Sequence, residues 1–407
     1  METVTDKEKQ AGGIVEYETI AGQRLPTGSI GKSDLRFRIQ NTTEDECREY
    51  AALLEKSGYV KVAEKEIPAG TEFSYNVNLF YAFKGQTQQI FVFWDPSVYN
   101  TFITAEALGA MPDNRPVPSE KKQIVPVTFT QLKLWLGGMC YIVRLANGEF
   151  IVIDGGKNCE EDVIRLYDFL KENSPNRKPT VALWIFTHSH KDHIDLATYF
   201  IEKYKAEIRI CAFAYQFPNC DKISVTMESV SDMKEKIENL ERNIATGYPD
   251  ATVYTLHTGQ SYFFEGTEIE ILWTIDDTYP SFYTSFNDMS AALRFKFANG
   301  KTVLLLADCM HEANRRIAHR YGDYLKSDMM QVVHHGLIGG DKGLYKLVDP
   351  AICFWPSSEQ RFSGKTPNKR YQYCLGEGGC DYNAYLRDKT IRERIHYHAG
   401  ETVTVEI

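Results

Sequence analysis

The sequence predicts an α/β protein made of two similar halves, preceded by a small α+β unit, and three observations carry that prediction. First, a buried-looking apolar run, Val181-Ala182-Leu183-Trp184-Ile185-Phe186, ends abruptly in Thr187-His188-Ser189-His190-Lys191-Asp192-His193. Second, one strand pattern occurs twice. Arg144-Leu145-Ala146-Asn147-Gly148 leads through Phe150-Ile151-Val152-Ile153 to Asp154, and Lys296-Phe297-Ala298-Asn299-Gly300 leads through Val303-Leu304-Leu305-Leu306 to Asp308. Each reads as a strand, an Asn-Gly hairpin turn and a buried strand that stops at an aspartate, as two related αβ halves would give. Third, a helix and several alternating stretches stand well before this region, with a Pro-rich break between.

Taken in order, residues 1 to about 30 are Gly- and charge-rich and read as a flexible lead. Thr43-Glu44-Asp45-Glu46 is a capping box, and the helix it opens carries Cys47, Tyr50, Ala51 and Leu54 on one face before Gly58 stops it. Alternating stretches over 59–67, 78–83 and 89–94 predict one helix laid on three or four strands, with no catalytic constellation. Ala110 to Lys122 is rich in proline, charge and small residues and reads as a linker. Residues 1–120 are therefore expected to form lead, accessory domain and linker, and residues 121–407 a second domain that holds the two similar halves.

Composition sets the outer limits. Apolar residues make up 43% and charged residues 25% of 407, which suits a globular protein of two domains. No run approaches the roughly 20 apolar residues of a membrane span. Met1 to Gly13 lacks the apolar core of a secretory signal, so a cytoplasmic location is expected. The nine cysteines are odd in number and irregularly spaced, as reduced thiols are; Cys374 and Cys380 are the one pair close enough for a clip. A net charge of −9 argues against bulk capture of nucleic acid or an anionic membrane, though a local basic pocket could still hold one phosphate.

The cluster at 188–193 packs three imidazoles and a carboxylate into six positions of a chain with ten histidines in all. Alternate side chains on a strand face opposite ways, so a strand could not aim all four at one ion, whereas a loop can divide them between two. Imidazole suits zinc, copper, iron and nickel, and a carboxylate extends the choice to manganese. These residues read as a metal site.

His-x-His-x-Asp-His after a buried strand resembles the metallo-β-lactamase superfamily, whose fold is a four-layer αββα sandwich. The resemblance covers roughly residues 125–407. It implies that His188 and His190 hold a first metal ion and that Asp192 and His193 hold a second. Asp308 matches the family's bridging carboxylate. The run Met329-Met330-Gln331-Val332-Val333 into His334-His335-Gly336 matches its last ligand motif. There His335 is taken as the ligand and His334 as the substrate-side group, a choice the residues themselves leave open. Asp154, in Asp154-Gly155-Gly156, matches an aspartate that buttresses the centre without binding, because metal-bound histidines commonly donate their other N–H to a carboxylate. The order of Asn287-Asp288-Met289-Ser290, Ala307-Asp308 and the His-His-Gly triplet is similar to one branch in particular. That branch holds the hydrolase domain of DNA-uptake competence proteins and related phosphoesterases, phosphorylcholine esterase among them.

Two positions depart from that branch. Leu136-Gly137-Gly138-Met139-Cys140 lacks the acidic residue usual in its first turn, and His257 is the sole candidate for a third histidine on the first metal. Cys309 is expected to turn away from the centre. His311 and His319, with Arg315, Arg316 and Arg320, read as a surface helix, and His396 and His398 as a terminal strand. Arg361, Lys365, Lys369 and Arg370 form a basic loop that could hold a phosphate.

The resemblance implies a metal-dependent hydrolase that uses two divalent ions, zinc first with manganese or iron as alternatives. A shared hydroxide would attack a phosphodiester-type substrate, a small-molecule or nucleotide-like phosphoester, with Asp192 or His334 passing a proton to the leaving group. Three alternatives remain at this stage. One is a lactone or amide hydrolase of the same fold. Another is a di-iron redox enzyme, although such members carry glutamate where this chain has His190. The last is a non-catalytic metal-binding module with an incomplete first metal site.

Overall fold

The structure, a computed structural model, describes residues 24–26, 35–70, 77–113, 124–278, 283–362 and 384–407. The first of its three sheets comes entirely from the N-terminal region. It comprises β1 (Arg24–Pro26), β2 (Leu35–Gln40), β3 (Val60–Pro68), β4 (Val77–Lys84), β5 (Gln88–Asp95) and β6 (Asn100–Ala107), in the order β1-β2-β6-β5-β4-β3 and antiparallel throughout. The helix α1 (Glu44–Lys56) begins at the Thr43 capping box. Alternation along the strands sends Leu79, Tyr81, Phe83, Ile90, Val92 and Trp94 against Cys47, Tyr50, Ala51 and Leu54 of α1. Phe80, Ala82, Phe91, Phe93 and Phe102 face the other way and share a core with Leu272, Trp273 and Ile317. Both faces of β4 and β5 are thus covered, which is why their sequences run apolar almost without interruption. The sheet has six strands, where alternation in the sequence suggested three or four.

The second sheet contains β7 (Thr128–Gln131), β8 (Tyr141–Arg144), β9 (Phe150–Ile153), β10 (Thr180–Phe186), β12 (Ala212–Tyr215) and β13 (Thr252–Thr255), with the short β11 (Arg209–Ile210) beside β10. The third contains β14 (Ser261–Phe264), β15 (Thr267–Trp273), β16 (Ala292–Lys296), β17 (Thr302–Leu305), β18 (Met329–Gln331), β19 (Ile352–Trp355) and β20 (His396–Ala399). The strand β21 (Val403–Glu406) crosses back to pair with β7 of the second sheet.

These two sheets face each other through one core. Phe129, Tyr141, Ile151, Ile153 and Ile185 meet Ile269, Leu293, Val303 and Leu305 there. The outer face of the second sheet, with Val152, Trp184 and Phe186, is covered by α2 (Glu160–Asn173), α3 (Lys191–Lys203) and α4 (Val230–Gly247). The outer face of the third, with Leu304, Leu306 and Met330, is covered by α5 (His311–Tyr321) and α6 (Lys342–Val348). The layers run helix, sheet, sheet, helix, with the N-terminal sheet packed onto the last of them. Among the described residues no helix is long and apolar enough to cross a membrane.

The repeated pattern of the sequence becomes a repeated device. In each half an Asn-Gly hairpin (β8–β9 and β16–β17) delivers a strand that runs parallel to the next one, β9 beside β10 and β17 beside β18. Gly148 and Gly300 take φ of 84° and 86° in those turns, a backbone that side chains resist. Parallel neighbours bring their carboxyl ends to the same edge, so Asp154 falls near His188 and Asp308 near His335. Loops at such an edge are where an open α/β sheet builds its sites.

Candidate metal centre

Strand β10 stops at Phe186, and the next four residues form a loop that ends as α3 opens with His190 at its cap. The division of the cluster follows from that geometry. His188 and His190 leave the loop, whereas Asp192 and His193 lie in the first turn of the helix. A tight helix–sheet approach is needed here, and Gly155 permits it: a Cβ at that position would lie 2.8 Å from the Cβ and 2.9 Å from the backbone N of Ala197.

Asp154 closes β9 in a left-handed turn (φ 56°) and is fully buried. Its Oδ1 accepts from the Thr187 backbone N–H at 2.8 Å, and its Oδ2 accepts from the Thr187 hydroxyl at 2.7 Å and from His193 Nδ1 at 2.8 Å. The carboxylate therefore fixes both the loop and the ring of His193. Similar anchors hold the other rings. Thr187 Oγ1 lies 3.2 Å from His188 Nδ1, the Pro356 carbonyl accepts from His335 Nδ1 at 2.8 Å, and Glu228 Oε2 lies 2.8 Å from His190 Nε2. Glu228 is itself held by the Ser285 hydroxyl at 2.5 Å and the Phe286 N–H at 3.1 Å.

With one nitrogen of each ring engaged, the other nitrogens converge. His188 Nε2 and His190 Nδ1 lie 3.1 Å apart. Asp308 Oδ2 sits 3.3 Å from His193 Nε2, 3.3 Å from His335 Nε2, 3.6 Å from His334 Nε2 and 3.9 Å from His188 Nε2. Asp192 Oδ2 is 3.7 Å from His335 Nε2. Two groups have ligand atoms mutually within 4.8 Å, His188–His193–Asp308 and Asp192–His193–His335. His193 Nε2, His335 Nε2 and Asp308 Oδ1 are buried with no hydrogen-bond partner among the described residues. Buried lone pairs without a donor are costly, and a cation is the partner this donor set suits.

The backbone is bent to reach this arrangement. Ala307, His334 and His335 take φ of 47°, 49° and 55°, and the Gln331 side chain braces them through Leu306 N, Ala307 O and Val332 O at 2.7–2.9 Å. Electrostatics follow from crowding. Burial acts to raise the Asp308 carboxyl, yet His335, His193 and His334 hold it well below the usual carboxylate range. Burial acts against a charged His193, but Asp308 and Asp154 outweigh it and raise the ring well above an ordinary histidine. His188, with no carboxylate as close, is pushed well below by burial and by its neighbours His193 and His190.

His334 stands to one side of this set. The Asn287 amide lies 3.3 Å from its Nε2, and its buried Nδ1 has no partner among the described residues. Gly138 carries the chain past the other rim, where a Cβ would meet the Asp192 carbonyl at 2.4 Å and Gly156 Cα at 2.8 Å. A glycine thus lets the loop at 132–140 lie directly on the start of α3. Cys309 turns away and lies 3.7 Å from the Ser290 carbonyl. His311 and His319 lie on α5, and His396 and His398 on β20. Lys365, Lys369, Arg370, Cys374 and Cys380, and the side chain of Arg361, fall outside the described residues.

The four layers, with candidate ligand groups meeting at one edge from both halves, decide the fold. It is a metallo-β-lactamase fold. No protein-family model and no curated protein matches the chain. Among solved structures, the metallo-β-lactamase fold protein YhfI of Bacillus subtilis aligns at 11% identity and TM-score 0.38, over 69% of this chain and all of that one. CmlA, a diiron β-hydroxylase of Streptomyces venezuelae, aligns at 10% identity and TM-score 0.41, over 72% of this chain and 55% of its own length.

Sequence reasoning missed Glu228 and gave no site role to Asn287. Glu228 lies in an irregular segment ahead of α4, and nothing periodic marks it. His257, weighed as a third ligand, is placed elsewhere by the metallo-β-lactamase fold. It is buried, stacks on Phe91 of the N-terminal sheet (ring centroids 3.8 Å apart), and sits 2.8 Å from Asp276 Oδ2 and 3.4 Å from Glu106 Oε1. Arg36 Nε joins Asp276 at 2.9 Å. His257 is thus a cation between the N-terminal sheet and the sandwich.

That position makes a pH prediction. Burial acts against charge on His257, but Asp276 and Glu106 raise it from 6.5 to about 9. A raised folded-state value stabilises the fold fully below pH 6.5, and the contribution is lost as pH climbs through about 9. At about 1.4 kcal/mol per pH unit the loss is on the order of 3 kcal/mol. Urea denaturation at pH 6 and pH 10 should show it, and His257→Gln should flatten the difference. Equal stability at both pH values would refute the clamp.

Proposed function

We propose that this chain is a metal-dependent hydrolase with a dinuclear centre, acting on a phosphodiester-type substrate. The observation that carries the proposal is the matched orientation of four rings, each with one nitrogen anchored and the other aimed at Asp308 or its neighbours. His188 Nε2, His190 Nδ1 and Asp308 would hold the first ion. Asp192, His193 Nε2 and His335 Nε2 would hold the second, with Asp308 shared between the two and Asp154 steadying His193. Two divalent ions there would supply an activated water near neutral pH and positive charge for the oxyanion that develops.

The residues around the ions do the rest. The Asn287 amide lies 3.3 Å from His334 Nε2, the ring nitrogen that faces Asp308 at 3.6 Å, so the two side chains flank the place where a substrate oxygen would sit. Asp192 remains partly open, with 27% of its side chain exposed, and can pass a proton outward to the leaving group. The phosphoester class is supported by the Asn287–His334 pair beside the candidate ligands and by the order of motifs from Asn287 to the His-His-Gly triplet.

Metal content by mass spectrometry, together with hydrolysis of bis(p-nitrophenyl) phosphate with zinc or manganese, tests this reading. About two ions per chain and metal-dependent turnover are expected. Two ions with turnover only on a lactone or amide would change the substrate class. One ion or none, with no turnover under any metal, would overturn the dinuclear centre. A separate expectation concerns Glu228, whose carboxylate orients His190: Glu228→Gln should weaken one of the two ions by about 10–100-fold and leave the other unchanged. Competition with a coloured chelator reads the two affinities separately.

A further inference from the structure

A second site lies away from the metal centre, where the N-terminal sheet meets α5. Strand β2 alternates, so that Phe37 and Ile39 enter the core under α1 while Arg36 and Arg38 face the sandwich. Arg36 reaches Asp276. Arg38 reaches no counter-ion: it is half-buried, its Nε is screened from solvent, and it has no hydrogen-bond or ion-pair partner among the described residues. Burial holds its guanidinium below the ordinary arginine value. A screened, unpaired charge of this kind is a standing cost that an anion would relieve.

Arg38 opens into a cavity of about 600 Å³ between the turn after β5 and the outer surface of α5. Arg315, Arg316 and His319 line the opposite wall, with Glu312 the one acid among the lining residues. Among the described residues Arg315 pairs with Glu312 alone, at 2.7 Å on the exposed side. Arg316 gives one N–H to the Asp277 carbonyl at 2.9 Å and lies 4.8 Å over the Trp273 ring, which leaves most of its fork uncommitted to any carboxylate. Three arginines against one glutamate stand here in a chain whose net charge is −9. Guanidinium forks match tetrahedral oxyanions through paired, charge-assisted hydrogen bonds.

We infer that this cavity binds a phosphate dianion, free or as a monoester, between Arg38 of the N-terminal sheet and Arg315 and Arg316 of α5. The cavity shares no residue with the metal centre, and its volume admits a ligand of nucleotide size. Helix α5 begins three residues after Asp308, so a ligand here would brace the segment that follows the shared carboxylate. The N-terminal sheet gains a role by this account, since it supplies one jaw of the site.

Calorimetric titration of the metal-loaded full chain with inorganic phosphate, and separately with AMP, tests the inference. Saturable binding is expected with a dissociation constant in the range of about 0.1–1 mM. It should weaken about tenfold in Arg38→Gln and again in Arg315→Gln, each removing one charge-assisted contact. Arg315 is largely exposed, so its variant keeps the fold should Arg38→Gln disturb the sheet. Tighter binding of AMP would identify a monoester, and equal binding the free ion. No binding up to about 10 mM, or affinity within twofold of the parent in both variants, would overturn the site, the latter by placing the anion at the metals.

Discussion

Asp308→Ala is expected to lose at least one of the two proposed metal ions and to lower turnover on the order of a thousandfold. Four imidazoles lie within 4 Å of its Oδ2, more than any other side chain of the centre gathers, and its Oδ1 is buried without a partner among the described residues. In the proposed dinuclear centre its removal would take away both the shared oxygen and the negative charge that balances two dications. Asp308→Asn keeps the shape and removes the charge, and should recover only a small part of the loss. Metal content and initial rates measured together decide the matter: two ions retained and activity within tenfold of the parent would mean that Asp308 is not shared between the metals.

Arg320→Met should destabilise the fold by about 3–5 kcal/mol, the range for stripping the cation from a buried ion cluster. Arg320 is fully buried on α5, and its Nη2 binds Asp95 Oδ2 at 2.7 Å and Asp277 Oδ1 at 2.8 Å. Asp95 ends β5 of the N-terminal sheet, while Asp277 follows β15 of the sandwich, so one guanidinium ties two parts of the chain. Its guanidinium carbon also lies over the Phe93 and Trp273 rings at 4.9 and 5.1 Å, cation–π contacts worth about 0.5–2 kcal/mol and weaker than the paired carboxylates. The loss would therefore report mainly the two carboxylates left buried without a charge partner. Denaturant unfolding followed by tryptophan fluorescence measures it, and a change below about 1 kcal/mol would show that the cluster relaxes into water.

What the sequence made legible is what local pattern can encode. The apolar runs before Asp154, Thr187, Asp308 and His334 announced strands that end at one edge, and the two Asn-Gly turns announced hairpins where β8–β9 and β16–β17 are found. The capping box at Thr43 placed α1 correctly. Glu228 was hidden because its meaning lies in a contact with His190 across 38 positions, and the segment around it has no period to read. His257 was ambiguous for a related reason: nothing near it in sequence reveals Phe91, Glu106 and Asp276, which come from distant strands and turns. The N-terminal sheet looked self-sufficient because apolar residues on both its faces resemble, in one dimension, a core of its own.

The crossing of β20 and β21 between the sheets sets an order on the making of this molecule. β20 completes the third sheet beside β19, and β21 completes the second beside β7, where Thr404 bonds Thr130 across 274 positions. During synthesis the first half of the sandwich therefore waits with the edge of β7 unpaired until residue 406 has emerged. An open strand edge of that kind invites pairing with other nascent chains. Slow, chaperone-sensitive maturation is the expected consequence, and at elevated temperature yield should be limited by the interval between translating β7 and translating β21 more than by the stability of the finished fold.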